Sequence, residues 1–146
     1  MPQATYSVTI NRPVRDVFAY VADGEKCKEW RPGVLDIVRA TGAMDGGVGT
    51  RYLQGVKGPM GRRIRADYEI SVFEPDRRIE FQTVAGPARP HGRYDLAATA
   101  DGGTQLSFSL DAELSGLRKL LMAGAVQKTM DAEVRTLDNL KRNLER

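Results

Sequence analysis

Hydrophobic and polar positions alternate at the start of the chain. Tyr6, Val8 and Ile10 share one face and Thr5, Ser7 and Thr9 the other, the period-two mark of a strand with one buried side. Asn11-Arg12-Pro13 breaks this pattern, and Pro13 suits the first turn of a helix, where its missing N–H costs nothing. Val14, Val17, Phe18 and Val21 then recur at three- and four-residue spacing, which predicts a short amphipathic helix over Pro13 to Val21. Asp23 is placed to cap a second short helix reaching about Trp30, which Arg31-Pro32-Gly33 ends.

Six strand-like segments follow, about Val34–Thr41, Gly49–Val56, Arg62–Phe73, Arg78–Ala85, Arg89–Thr99 and Gln105–Glu113. Between them lie Gly46-Gly47, Gly58-Pro59, Pro75-Asp76, Gly86-Pro87 and Asp101-Gly102-Gly103, each a plausible turn or loop. Serial strands on short connections predict an antiparallel meander. From Ser115 to Arg146 there is no proline, and helix formers dominate. Val126, Met130, Val134, Leu137, Leu140 and Leu144 fall on one helical face; Leu117, Leu120 and Leu121 fall roughly opposite, with Gly124 between the sets. That phase change predicts a bend, a break or a change of burial partner near Gly124, or else a straight helix whose Leu117–Met122 turn caps an edge of the core. The expected fold is α+β: a seven-stranded curved antiparallel sheet wrapped around a long C-terminal helix, with two short helices after the first strand. A long sheet curls, and its concave side is wider than one helix fills, so a cavity is expected between them.

Composition narrows the function. A length of 146 residues suits one domain with one core, here taken as 1–146. No apolar run approaches the roughly 18 residues that span a bilayer. Met1 to Tyr6 lacks the features of a signal peptide. The lone Cys27 has no internal disulfide partner, which fits a reducing cytoplasm; among charged neighbours it reads as a partly exposed bystander. Net charge is +3, but acidic and basic residues are interspersed, unlike the segregated basic patch of a nucleic-acid binder. There is no GxGxxG ahead of a helix and no Walker loop, so no cofactor is expected. His91 is the only histidine and the carboxylates show no clustered spacing, so no metal is expected either.

Taken in order, "INRPVRDVFAYVAD", "EWRPGVLDI", "GVGTRY", "GRRIRADYEISVFEPDRRIEF", "GRYDLAATADGGTQLSFSLDAEL" and "LDNLKRNLER" resemble the START-like, Bet v 1-like superfamily over essentially the whole chain, within it the polyketide cyclase/dehydratase-like (SRPBCC) proteins. The resemblance implies the helix-grip fold and a ligand cavity, not one reaction.

Strand parity assigns the walls. The apolar face carries Tyr6, Val8 and Ile10; Tyr52, Gln54 and Val56; Ile64, Ala66, Tyr68, Ile70 and Val72. It continues through Ile79, Phe81 and Thr83, then Tyr94, Leu96 and Ala98, then Leu106, Phe108, Leu110 and Ala112. Arg63, Arg65, Asp67, Glu69, Glu80, Arg93, Asp95 and Asp111 fall on the opposite, wet face, unless a bulge inverts part of a strand. Residues expected around a ligand are Trp30, Tyr52, Gln54, Tyr68, Ile70, Phe81, Thr83, Tyr94, Leu96, Phe108, Met130 and Val134. Trp30 is also expected to pack under the short helices. Met60, at the tip of a hairpin, is a turn residue that can also help gate the cavity.

Such a cavity, apolar with scattered hydroxyls, suits a lipid, isoprenoid or polyketide-like ligand, so the first functional expectation is binding or transport of a hydrophobic small molecule. The second is a cyclase/dehydratase-like enzyme with Tyr52, Tyr68, Tyr94 and His91 as catalytic candidates. It is disfavoured because the predicted inner face carries no Asp, Glu, Lys or Arg to serve as acid or base. The third is a protein–protein module using the outer sheet face or Leu117–Met122. A filled cavity favours the third, and converging tyrosines or a buried His91 the second. The pattern leaves monomer and homodimer both open.

Overall fold

The computed structural model describes residues 2–41, 47–86, 88–113 and 117–146, with positions 41, 59 and 117–122 described by backbone only. Strand β1 (Gln3–Ile10) leads into helix α1 (Val14–Ala22) and a 3-10 helix (Gly24–Glu29). Seven further strands follow: β2 (Val34–Thr41), β3 (Arg51–Lys57), β4 (Arg63–Arg65), β5 (Tyr68–Glu74), β6 (Arg78–Thr83), β7 (His91–Ala98) and β8 (Thr104–Asp111). Helices α2 (Leu117–Val134) and α3 (Leu137–Leu144) close the chain. The sheet order is β1-β8-β7-β6-β5-β3-β2, with the three-residue β4 paired to β3, and every pairing is antiparallel. The result is an α+β helix-grip fold: a curled sheet forming a half-barrel around the C-terminal helix.

Local chemistry explains the first turn of the chain. Pro13, extended at φ −60° and ψ 149°, occupies the cap position just outside α1 rather than its first turn. Asp23 caps the 3-10 helix as expected, its carboxylate accepting the N–H of Glu25 at 3.1 Å. The C-terminal stripe packs against the sheet, with Met130, Val134, Leu137 and Leu140 all buried.

Several expectations need correction. The helix does not break at Gly124, which α2 passes through; the interruption lies at Arg135-Thr136. There the Thr136 hydroxyl donates to the Glu133 carbonyl at 2.5 Å, and the Thr136 N–H takes the same acceptor at 3.1 Å, a local bond that competes with the regular helical ladder. Whether Leu117–Met122 changes burial partner lies outside the described residues. The segment read as one strand over Arg62–Phe73 is two, divided at Ala66-Asp67, and Asp67 is buried rather than wet. In addition, β5 carries a bulge between Ile70 and Val72 that moves Val72 opposite Glu80 and brings Phe73 opposite Ile79. Phe73 thereby meets Phe18 of α1 edge-on at 5.3 Å. Ala98, expected inward, is exposed at the end of β7.

Candidate functional site

The floor of the half-barrel is an aromatic row crossing five neighbouring strands. Tyr52 stacks on Tyr68 at 5.1 Å, Tyr68 meets Phe81 at 5.1 Å, Phe81 meets Tyr94 at 6.0 Å, and Tyr94 stacks on Phe108 at 4.4 Å. Register builds it: Tyr52 is opposite Tyr68 and Tyr94 opposite Phe108. Phe81 faces Gly92, which carries no side chain, so its ring fills that space and reaches Tyr94 diagonally. Trp30, 1% exposed, stands edge-on to Tyr94 and Phe108 at 6.3 and 6.5 Å.

Above the row lies a narrow chamber walled by Tyr52, Tyr68, Ile70, Ile79, Phe81 and Tyr94 from the sheet, Val21 and Ala22 from α1, and Gly24, Cys27 and Arg31 from the segment that follows. It offers about 20 Å³ to the centre of a water molecule. A buried water needs roughly 10–15 Å³ by that measure, so the chamber has room for little more than one. Ala22 also lines an outer groove of about 290 Å³ floored by Phe18 and Phe73 and edged by Asp23 and Arg39.

Arg31 is the cation on the chamber wall among the described residues, and strand parity missed it because it comes from a turn. Its N–H is bonded to the Cys27 carbonyl at 2.8 Å and its own carbonyl accepts from Val34, which turns the residue inward under the helix. The guanidinium Nε donates to the Glu133 carboxylate on α2, and Nη1 donates to Gln54 Oε1 at 3.1 Å. Gln54 is itself fixed, its side-chain amide donating to the Ala66 carbonyl at 3.0 Å. The Arg31 side chain is 11% exposed and that of Glu133 22%. Burial works against the charge on Arg31, but the Glu133 carboxylate beside it favours that charge, and the guanidinium stays protonated.

Cys27 is no exposed bystander. It is buried on the chamber wall, and burial raises its thiol above the ordinary range, with hydrogen bonding from Arg31 and Tyr68 pulling partly the other way. The hydroxyls of Tyr68 and Tyr94 are likewise raised well above 10 by burial. Groups so shifted serve as neutral hydrogen-bond donors; a general base or acid needs a value nearer the working pH.

Of the residues expected around a ligand, the chamber brings together Tyr52, Tyr68, Ile70, Phe81 and Tyr94. Gln54 stands one step behind, through Arg31. Thr83, Leu96, Phe108, Trp30, Met130 and Val134 are buried in the surrounding core, off the chamber wall. His91 points away from it: at the start of β7 its ring is half-buried on the outer face, bonded to Glu80 at 2.8 Å and Asp111 at 3.2 Å. The outer face is otherwise charged, with Arg78 and Arg93 both bridging to Asp95. Met60 is almost fully exposed at the hairpin tip and lines neither cavity. The side chains of Leu117–Met122 lie outside the described residues. Among the described residues, no cluster of His, Cys, Asp or Glu is arranged to hold a metal, and no helix is long and apolar enough to cross a membrane.

Residues 1–145 match the family described as polyketide cyclase/dehydrase and lipid transport. The chain belongs to that family. Among solved structures, a Thermus thermophilus protein is similar at 22% identity and a TM-score of 0.80, covering 98% of this chain and 97% of its own. A START superfamily protein from Mycobacterium smegmatis gives 16% and 0.78, over 98% and 97%. The di-domain ARO/CYC StfQ of the steffimycin biosynthetic pathway gives 15% and 0.79; it covers 98% of this chain, which spans 50% of that longer one. At these identities the likeness is one of fold. No curated protein sequence matches the chain.

Proposed function

We propose that this family member, acting as one domain over 1–146 in the cytoplasm, binds or carries a hydrophobic small molecule of lipid, isoprenoid or polyketide-like character between sheet and C-terminal helix. The observation that carries the reading is the wall itself: an apolar, aromatic chamber into which one guanidinium and three tyrosines project. Such a combination buries a carbon skeleton and orients an oxygen atom. The chamber is small, so a ligand must widen it, and the Ala22 wall shared with the outer groove is the natural place. The test is native mass spectrometry of protein purified gently from its host, with extraction and identification of any adduct. A stoichiometric hydrophobic adduct supports the reading. Protein that stays empty after exposure to lipid and polyphenol panels overturns it in favour of partner binding, which the nearly filled interior also fits.

A cyclase-like reaction is the second reading. It is favoured by the meeting of the Tyr52 and Tyr68 rings at Gly24, beside Arg31, where a ligand carbonyl would be polarised. The hydroxyls of Tyr68 and Tyr94, raised by burial, and the absence of His91 from the chamber weigh against it. Turnover of a poly-β-ketone that is lost in Tyr68→Phe, with binding retained, would establish it.

A further inference from the structure

We infer that the ligand carries a carboxylate, or a comparable anionic oxygen, on its apolar body, and that Glu133 is a stand-in for that group, held against Arg31 until the ligand displaces it. The inference rests on the small-molecule reading above and names the chemical class. Arg31 is nearly buried at the chamber wall, whereas its partner is not part of that wall: Glu133 reaches in from the last turn of α2, just before the interruption at Arg135-Thr136. The two ends of the pair are unequally held. Arg31 is fixed by its turn and by Gln54, while Glu133 is twice as exposed and sits where the helical ladder is already broken. When the pair opens, the carboxylate moves to water and the guanidinium stays.

A bracing role alone accounts poorly for the charge. The same segment is already tied to α3 by neutral groups, with Asn139 donating to the Trp30 carbonyl at 3.1 Å and Asn143 to the Glu29 carbonyl at 3.1 Å. Burying an ion pair costs several kcal/mol in desolvation, about as much as its attraction returns. Exchange of one carboxylate for another leaves the charge at Arg31 balanced and releases Glu133 to solvent. The hydroxyls of Tyr68 and Tyr94, held neutral by burial, donate to the ligand's second oxygen. Its apolar body passes Ala22 towards Phe18 and Phe73.

The experiment measures binding of decanoic acid and 2-naphthoic acid, each against its methyl ester, to the full chain by calorimetry and Trp30 fluorescence. At least one acid is expected to bind ten-fold or more tighter than its ester. In Glu133→Gln, which keeps an acceptor for Arg31 but removes the competing charge, that acid should gain several-fold in affinity and the ester should not. In Arg31→Gln the preference for acid should vanish; if that variant does not fold, the Glu133→Gln comparison decides alone. Equal binding of acid and ester, or no gain in Glu133→Gln, overturns the exchange and leaves small-molecule binding intact. Failure of both acids and both esters to bind overturns the inference; the reading beneath it falls only when the lipid and polyphenol panels also leave the protein empty.

Discussion

The Tyr68 hydroxyl lies 2.7 Å from the point where a β-carbon on Gly24 would stand. The Tyr52 ring is as near, 2.6 Å at Cζ, and the Tyr52 hydroxyl accepts the Gly24 N–H at 3.3 Å. Glycine is therefore required by close approach, and it lets the 3-10 helix lie directly on the tips of the tyrosine pair. Gly24→Ala should destabilise the protein by about 1–3 kcal/mol, the usual cost of overpacking a filled interior. Thermal unfolding checks this. An unchanged melting temperature would mean that the tyrosines swing aside freely and the chamber is softer than its packing indicates.

Cys27 gives a direct report on whether the chamber opens. Its sulfur is buried and its thiol raised by burial, so the reactive thiolate is scarce and shielded. A water-soluble disulfide reagent at neutral pH should modify it only at the rate of opening, far more slowly than in urea. Labelling as fast as in the unfolded chain would contradict the closed chamber.

Alkaline pH should destabilise the fold. Cys27 ordinarily ionises near 9 and Tyr68 and Tyr94 near 10, and burial raises all three. Above those values the unfolded chain releases protons that the folded chain keeps, so stability falls as pH rises. Their contribution should be complete below about pH 8 and be lost progressively from about pH 9 upward. The melting temperature followed over that range should show the decline, and a Cys27→Ser, Tyr94→Phe double variant should flatten it. An equally steep decline in that variant would place the cause elsewhere.

The sheet was legible because its alternation is regular: residues such as Tyr94, Leu96, Leu106 and Phe108 bury where period two puts them. Alternation fails where the strand does. Nothing in the residue types around Val72 announces the bulge that turns Phe73 inward, and Asp67 lies in the break between β4 and β5, where a continuous alternation over Arg62–Phe73 assigns it to the wrong face. Arg31 escaped because parity describes strands, and a residue after a short helix has no parity. The signal that was present is positional: Trp30-Arg31-Pro32 places a long cation beside a tryptophan in a turn that must close over the core. The helix interruption escaped for a related reason. Gly124 has the poorer helix propensity, but the Thr136 hydroxyl supplies a competing bond, and the stripe tolerates it because Val134 and Leu137 are three residues apart.

Asp67 should matter more to the fold than its ion pair suggests. Its Oδ2 accepts from Arg65 at 2.7 Å, but that arginine is 69% exposed, and such pairs contribute at most about 1 kcal/mol. Its Oδ1 accepts the Gln54 backbone N–H at 2.9 Å, where β3 passes the gap between β4 and β5. Its own carbonyl accepts from Val84 at 2.7 Å. Replacing it with an apolar residue strands the Gln54 N–H in the interior, which costs about 1–3 kcal/mol. Asp67→Leu should therefore lose that much in urea denaturation, while Arg65→Ala loses little. Because Gln54 also orients Arg31, Asp67→Leu should weaken ligand binding in protein that remains folded, and Arg65→Ala should leave it unchanged. Equal losses from the two variants would assign the stability to the surface ion pair and detach Asp67 from the site.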